Sequence, residues 1–390
     1  MIAMLFMVLI FISWLYWLVA LLLVFDFFRH DRPNYRDFMP PVSILKPVKG
    51  LDFQAYQNFA SFCQQDYPEY EVLFGVADPD DPVIPIIERL KRDFPVHRIR
   101  LFITQPSGTN RKASLLQHLE EQTLYETLVV SDSDMRVTPN YLQRVVAPLA
   151  DARVGLVTSP YLGAEALNLT AGLEALHMGV TFLPSIVVAR KVIDMRFAMG
   201  ASVTLRRRDL TRIGGFAALA DYLADDYQLG ARIAGLGLKV RLSDYVTSCF
   251  LGATRFQEQW DREVRWMRCS HVSRMLEYPG LLISFTTPLS LVLVLLLGFA
   301  PESLRILEMS LIVRWLVAWL ISGRLGDHES RRWLIWLPLR DVLSALTWIV
   351  GGLGRRVAWR GEEFVLQLDG RMKPAPSQEK QSVWRLRFPH

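Results

Sequence analysis

Cysteine is scarce in this chain: Cys63, Cys249 and Cys269 stand far apart in 390 residues and share no metal-ligand spacing. An odd, scattered set argues against a disulfide framework and suits a reducing compartment, with the three thiols reading as small hydrophobes. Nucleic-acid-binding motifs are absent, as is any dense Lys/Arg cluster with aromatics. The net charge of +5 and pI near 9.1 therefore point to an anionic membrane surface or phosphate-bearing substrates, with no nucleic-acid partner. Internal repeats are also lacking. The single Pro/Lys/Gln/Ser-rich piece, Lys373–Ser382, reads as a mobile tail.

Charge is missing altogether from Met1–Phe25. That run is long enough to cross a hydrocarbon core of about 30 Å, and it has neither the basic start nor the cleavage site of a signal peptide. Arg29, Arg32 and Arg36 follow it, with Asp31 and Asp37 among them, which predicts a retained anchor with the next domain in the cytoplasm. Three further apolar stretches are Leu281–Pro301, Leu304–Gly323 and Trp333–Leu353. The first is uncharged and is expected to span. The second carries Arg305, Glu308 and Arg314, and the third carries Pro338 and the pair Arg340–Asp341. Ionisable groups at such depth line a site or a protein interface. Three C-terminal crossings would put the basic tail outside, with Arg355, Arg356, Arg360, Arg371, Lys373, Lys380, Arg385 and Arg387 on the wrong side. The third stretch is thus expected to be re-entrant or interfacial.

What the chain does have is a long middle of alternating pattern. Val42–Leu45, Glu71–Val76, Ile99–Ile103, Leu128–Ser131 and Gly155–Thr158 are short β-rich runs. Ala55–Gln65, Ile84–Phe94, Ala113–Glu121 and Tyr141–Leu149 read as helices between them. Such alternation predicts an α/β fold with a mostly parallel sheet, whose ligands bind at the carboxyl ends of the strands. The expected organisation is an N-terminal transmembrane anchor (1–28), a catalytic domain (29–280), membrane segments (281–353) and a basic tail (354–390).

Five polar clusters fall where such a sheet would place them. Val129–Asp134 (VVSDSD) ends a β-run in two carboxylates, Asp132 and Asp134, which alternation directs to one side. They suit a divalent cation bridging a diphosphate, or form an ordinary acidic turn. In Gly75–Asp81, Asp78 suits a uracil or ribose donor, and Asp81 before Pro82 looks like a helix cap. Gly108–Lys112 is a loop opening a helix, where Lys112 meets a diphosphate or is simply solvated. In Leu223–Gly230 the pair Asp225–Asp226 caps a helix, or else one carboxylate serves as general base for an acceptor hydroxyl. Arg262, Arg265 and Trp266 share a helix before the C-terminal apolar stretches; they bind a diphosphate and acceptor, or anchor the chain at the interface.

Taken in order, the five clusters resemble the ceramide glucosyltransferase family and its bacterial relatives in hopanoid lipid glycosylation. Ser43–Gly50 (SILKPVKG) and Phe62–Pro68 (FCQQDYP) are similar to that family's N-terminal signature, and the likeness runs from about Pro41 to Gly280, with echoes at Trp359–Gly361. The resemblance implies a GT-A (Rossmann-like) catalytic domain with one N-terminal and two to three C-terminal membrane helices. It also implies inverting transfer of a hexose from a UDP-sugar to a membrane lipid with Mn2+ or Mg2+. By the same resemblance, Asp78, Lys112 and Asp132 would bind the nucleotide-sugar, and Asp132 and Asp134 the metal. Asp226 would be the base, with Arg262, Arg265 and Trp266 beside the diphosphate and acceptor. Two departures, Asp132-Ser133-Asp134 in place of DSG and Leu183-Pro184 in place of His-Pro, look like the bacterial branch. The acceptor is thus a ceramide or a hopanoid, the latter with N-acetylglucosamine as an alternative sugar, and the location a bacterial inner membrane. A processive polysaccharide synthase shares this motif logic but needs more membrane helices. A catalytically inactive lipid-binding scaffold is the rival from another class, and the full set of aspartates argues against it.

Overall fold

The computed structural model describes residues 1–29, 38–359 and 362–375. The flanking charges Asp31, Arg32, Arg36 and Asp37, together with Arg360, Gly361 and the tail after residue 375, lie outside the described residues. The chain runs through α1 (Ile2–Arg29), β1 (Val42–Val48), α2 (Ala55–Phe62), β2 (Tyr70–Val76), α3 (Ile84–Asp93), β3 (Arg98–Ile103) and α4 (Arg111–Glu121). There follow β4 (Thr127–Ser131), β5 (Met135–Arg136), α5 (Tyr141–Val146), β6 (Val154–Thr158), β7 (Tyr161–Ala166), α6 (Leu169–His177) and α7 (Leu183–Val192). Next come β8 (Ser202–Arg206), α8 (Arg207–Arg212), α9 (Asp225–Gly235), β9 (Lys239–Leu242), β10 (Thr247–Gly252) and α10 (Phe256–Ser273). The rest is helical until the final strands: α11 (Thr286–Leu296), α12 (Pro301–Leu325), α13 (His328–Trp333), α14 (Leu337–Gly352), then β11 (Arg356–Trp359), β12 (Glu362–Leu366) and β13 (Met372–Pro374).

Seven strands form the main sheet in the order β3-β2-β1-β4-β8-β6-β9. All pairs are parallel except those of β8, which runs antiparallel to β4 and β6. Every residue of β1, β4, β6 and β8 is buried. Coverage on both faces is why these strands read as continuous apolar runs rather than alternating ones. The chain moves outward from β1 to β2 and β3, then returns to place β4 on the other side of β1. That reversal opens a crevice beyond the carboxyl ends of β1 and β4. Asp132 and Asp134 follow β4 directly into it.

Near the termini, α1 packs lengthwise on α11 and α12. Small polar groups join these apolar helices: Trp14 Nε1 donates to Ser310 Oγ at 3.1 Å and Trp17 Nε1 to the Ser284 carbonyl at 3.1 Å. The helical units long and apolar enough to cross a membrane are Ile2–Arg29, Leu169–Val192 and His328–Gly352. The second is mostly buried within the protein, where α6 and α7 are joined by a π-helical turn at Met178–Phe182.

The stretch expected to span most clearly, Leu281–Pro301, is broken. A 3-10 turn at Tyr278–Ser284 meets α11 at 78°. The eleven residues of α11 rise only about 16 Å, half of a bilayer core. The third stretch, α13–α14, is held to the preceding part of the chain at both ends. Ser330 Oγ donates to the Ala175 carbonyl at 3.1 Å, and Trp348 Nε1 donates to the Tyr278 carbonyl at 3.2 Å. Its deep charges are paired: Arg340 with Glu263, and Asp341 with Arg314.

The segment read as a basic tail begins with an antiparallel sheet, β11-β12-β13, which packs against Leu223 and Val272. Lys373 and Pro374, at the start of the piece expected to be mobile, pair in that sheet, and the piece beyond residue 375 lies outside the described residues. Asp81 does not cap α3, whose N-cap is Val83. Its carboxylate instead accepts from Gly50 N and Val83 N, both at 2.9 Å, tying the end of β1 to the loop after β2.

Candidate active site

One cavity of roughly 520 Å³ opens beyond the strand ends. Seven of the residues singled out in the sequence line it: Lys112, Asp132, Asp134, Asp226, Arg262, Arg265 and Trp266. Asp78 does not. It is exposed after β2, and its carboxylate accepts from Asp80 N at 2.9 Å.

Lys112 is the central cation. Asn110 caps α4 by accepting from Ala113 N at 3.0 Å, which fixes the first turn and aims Lys112 inward. The ammonium is ion-paired with Asp132. Burial works against its charge, but Asp132, Asp225 and Asp226 outweigh it and hold the ammonium above the ordinary lysine range. Beneath the motif lies Lys46, fully buried in β1, which donates to the Asp132 carbonyl at 2.9 Å and sits 3.6 Å from the Phe62 ring centre. Burial pulls Lys46 down to about 7, against the attraction of Asp132, Asp134 and Asp52.

Asp134 is deeper than Asp132. Its Oδ2 lies 3.4 Å from Cys249 Sγ, and its Oδ1 is buried without a hydrogen-bond partner among the described residues. Burial, reinforced by Asp132 and Asp52, raises this carboxyl to about 7. Among the described residues, no group of three His, Cys, Asp or Glu side chains converges to hold a metal. An unsatisfied carboxylate oxygen beside a second carboxylate still suits a hard cation that takes its remaining ligands from a diphosphate and water.

Asp226 lines the same cavity from the first turn of α9, near Lys112. Its Oδ2 accepts from Gly200 N at 2.9 Å and its Oδ1 from Tyr227 N at 2.7 Å. Burial and then Asp225 push it up to about 6. Gly230, one turn on, lets α9 approach closely, since a Cβ there would meet Phe197 and Ala198 backbone atoms at 2.5 Å.

The helix α10 carries Arg262, Arg265 and Trp266 on its cavity side. Arg262 is already neutralised by an ion pair with Glu174 of α6. Both arginines line the cavity and are candidates to meet a diphosphate. Sequence reasoning missed Glu174, although it had a signal: it is the lone acid in the otherwise apolar run Leu169–Ala189. Asp52, Tyr161 and Cys249 were missed as well. The remaining wall is apolar, with Met178, Phe182, Ile186 and Phe197 facing the same space.

The sequence profile of Glycosyl transferase family 21 matches residues 5–372. The chain belongs to that family. As a family 21 member it is a glycosyltransferase, and its relatives agree. It is 24% identical over 379 residues to ceramide glucosyltransferase 3 of Caenorhabditis elegans, covering 94% of this chain and 81% of that protein. It is 22% identical over 386 residues to ceramide glucosyltransferase 1 of the same organism, covering 95% and 81%. Among solved structures, a mannosyltransferase from Pyrobaculum calidifontis in complex with GDP-Man and Mn2+ aligns with a TM-score of 0.53 at 17% identity. It covers 90% of this chain and 99% of that one, which supports the GT-A architecture of this family 21 enzyme. The family and its ceramide glucosyltransferase members make a lipid the acceptor class.

Proposed function

We propose that the chain transfers a hexose from a UDP-sugar to the hydroxyl of a membrane lipid, inverting the anomeric centre. The observation that carries this reading is the mixed lining of one cavity. Lys112, Asp132, Asp134 and Asp226 line it together with the apolar side chains of Phe182, Ile186 and Phe197. Charged groups suit a nucleotide diphosphate and apolar ones suit a lipid.

In the proposed step, the acceptor oxygen forms a bond to the anomeric carbon as the bond from that carbon to the diphosphate breaks. Asp226 takes the hydroxyl proton, and its raised affinity for protons makes it a stronger base than an ordinary aspartate. Lys112, Arg262 and Arg265 receive the charge that develops on the leaving diphosphate. Asp78, exposed after β2, is assigned the nucleoside end of the donor in this reading. Asp134, with Asp132, would hold a Mn2+ or Mg2+ ion, which when bound would neutralise diphosphate charge. Trp266 packs against the acceptor.

In this reading α1 anchors the enzyme, the catalytic domain faces the cytoplasm at a bacterial inner membrane, and α13–α14 lies along the interface. The departures at Asp134 and at Leu183-Pro184 favour a second acceptor, a hydroxylated hopanoid receiving N-acetylglucosamine. A donor–acceptor matrix tests both: detergent-solubilised protein, Mn2+ or Mg2+, several UDP-sugars, and ceramide or a hydroxylated hopanoid, read by lipid mass spectrometry. A hexosylceramide supports the first reading and a product on the hopanoid alone the second. Donor binding by folded protein without any lipid product would favour a scaffold instead.

A further inference from the structure

The last described strands meet the site from a side that the five clusters do not account for. Val357, Phe364, Leu366 and Met372 bury themselves against Leu223 and Val272. Met372 N donates to the Asp221 carbonyl at 2.8 Å, and Arg371 Nε donates to the Tyr222 hydroxyl at 3.1 Å. From the other side, Asn110 Nδ2 donates to the Tyr222 carbonyl at 2.7 Å, and Thr109 Oγ1 donates to Asp221 Oδ1 at 3.2 Å. The segment leading into Asp225–Asp226 is thus clamped between the Lys112 loop and the C-terminal sheet.

Trp359 ends β11, packs on the same apolar cluster and lines the cavity together with Leu223 and Cys269. Lys112 enters from α4, and Asp132 and Asp134 from the end of β4, whereas Trp359 packs in the cluster that takes Cys269 of α10, the helix that also bears Trp266. An indole offers a large, rigid apolar face with a single polar tip, which fits the boundary between a lipid's hydroxyl and its hydrocarbon.

We propose that Trp359 contacts the acceptor, packing against the part of the lipid next to the reacting hydroxyl, and that the C-terminal sheet positions it there. This rests on the reading of the cavity as a nucleotide-sugar and lipid-hydroxyl site. Full-length W359A would be assayed with the UDP-sugar and lipid that the wild type uses, alongside hydrolysis of the UDP-sugar without acceptor. The expected result is an acceptor KM raised about tenfold, with donor KM and acceptor-free hydrolysis unchanged. W359F should recover most of the loss. An unchanged acceptor KM, or a donor KM rising in step with it, would overturn the proposal. Should W359A fail to fold, seen as lost donor hydrolysis, W359L carries the test with the same two outcomes. A wild type that turns over no UDP-sugar with any lipid would bring down the reading of the cavity and this proposal together.

Discussion

Arg340 of α14 grips both carboxylate oxygens of Glu263, at 2.7 Å each, and so ties the helix that bears Arg262, Arg265 and Trp266 to the C-terminal apolar helices. Both side chains are buried. Removing one partner leaves the other charge stranded, at a cost of about 3–5 kcal/mol, whereas replacing both with apolar groups can be nearly neutral. Arg340→Met should therefore lower the unfolding temperature sharply. The Glu263→Met, Arg340→Met double variant should regain most of the loss. A thermal-shift assay in detergent checks both, and additive losses would contradict the coupling.

Asp226→Asn keeps the shape of the side chain and removes the proton acceptor. Transfer should fall roughly a hundred- to ten-thousandfold while donor KM stays near wild type. Loss of donor binding in step with turnover would mean that Asp226 belongs to the donor site instead.

The same residue sets a pH dependence. The base works in its ionised form, and burial with Asp225 raises its pKa to about 6. Transfer should rise with pH through that region and fall about tenfold per unit below it. A pH profile of kcat that stays flat from 7 down to 5 would remove Asp226 from the proton-transfer role.

Asp134→Ala deletes the carboxylate whose Oδ1 has no hydrogen-bond partner among the described residues. Donor binding should then lose most of its dependence on Mn2+, measured by titrating the metal against UDP-sugar affinity. An unchanged metal dependence would assign the ion to other ligands.

Gly230→Ala places a Cβ 2.5 Å from the backbone of Phe197 and Ala198. Either α9 shifts and the Gly200–Asp226 hydrogen bond lengthens, or the protein bears an overpacking cost of about 1–3 kcal/mol. Reduced kcat with unchanged donor KM is the expected signature. Wild-type kcat and stability together would show that α9 has room to move.

The main sheet was legible because its central strands are covered on both faces, which leaves unbroken apolar runs such as Thr127–Ser131 ending in Asp132. The polar clusters were legible because sheet topology puts strand ends at the ligand site. The bend between Ser284 and Thr286 was not, since hydropathy counts apolar residues and is blind to a change of axis. Glu174 was hidden by distance in sequence from Arg262, its partner across the cavity. The C-terminal sheet escaped for a related reason: its short strands share a core with Leu223 and Val272, which belong to other parts of the chain.

Tyr222 and Arg371 are 149 positions apart, yet their contact helps to close the segment that leads into the base. A growing chain can fold its central sheet early, as N-terminal parts generally do during synthesis. It cannot finish the cavity until almost its last described residue has been made. By then α11 and α12 have already been translated, so the cavity is completed only after the helices that pack on α1 have been made.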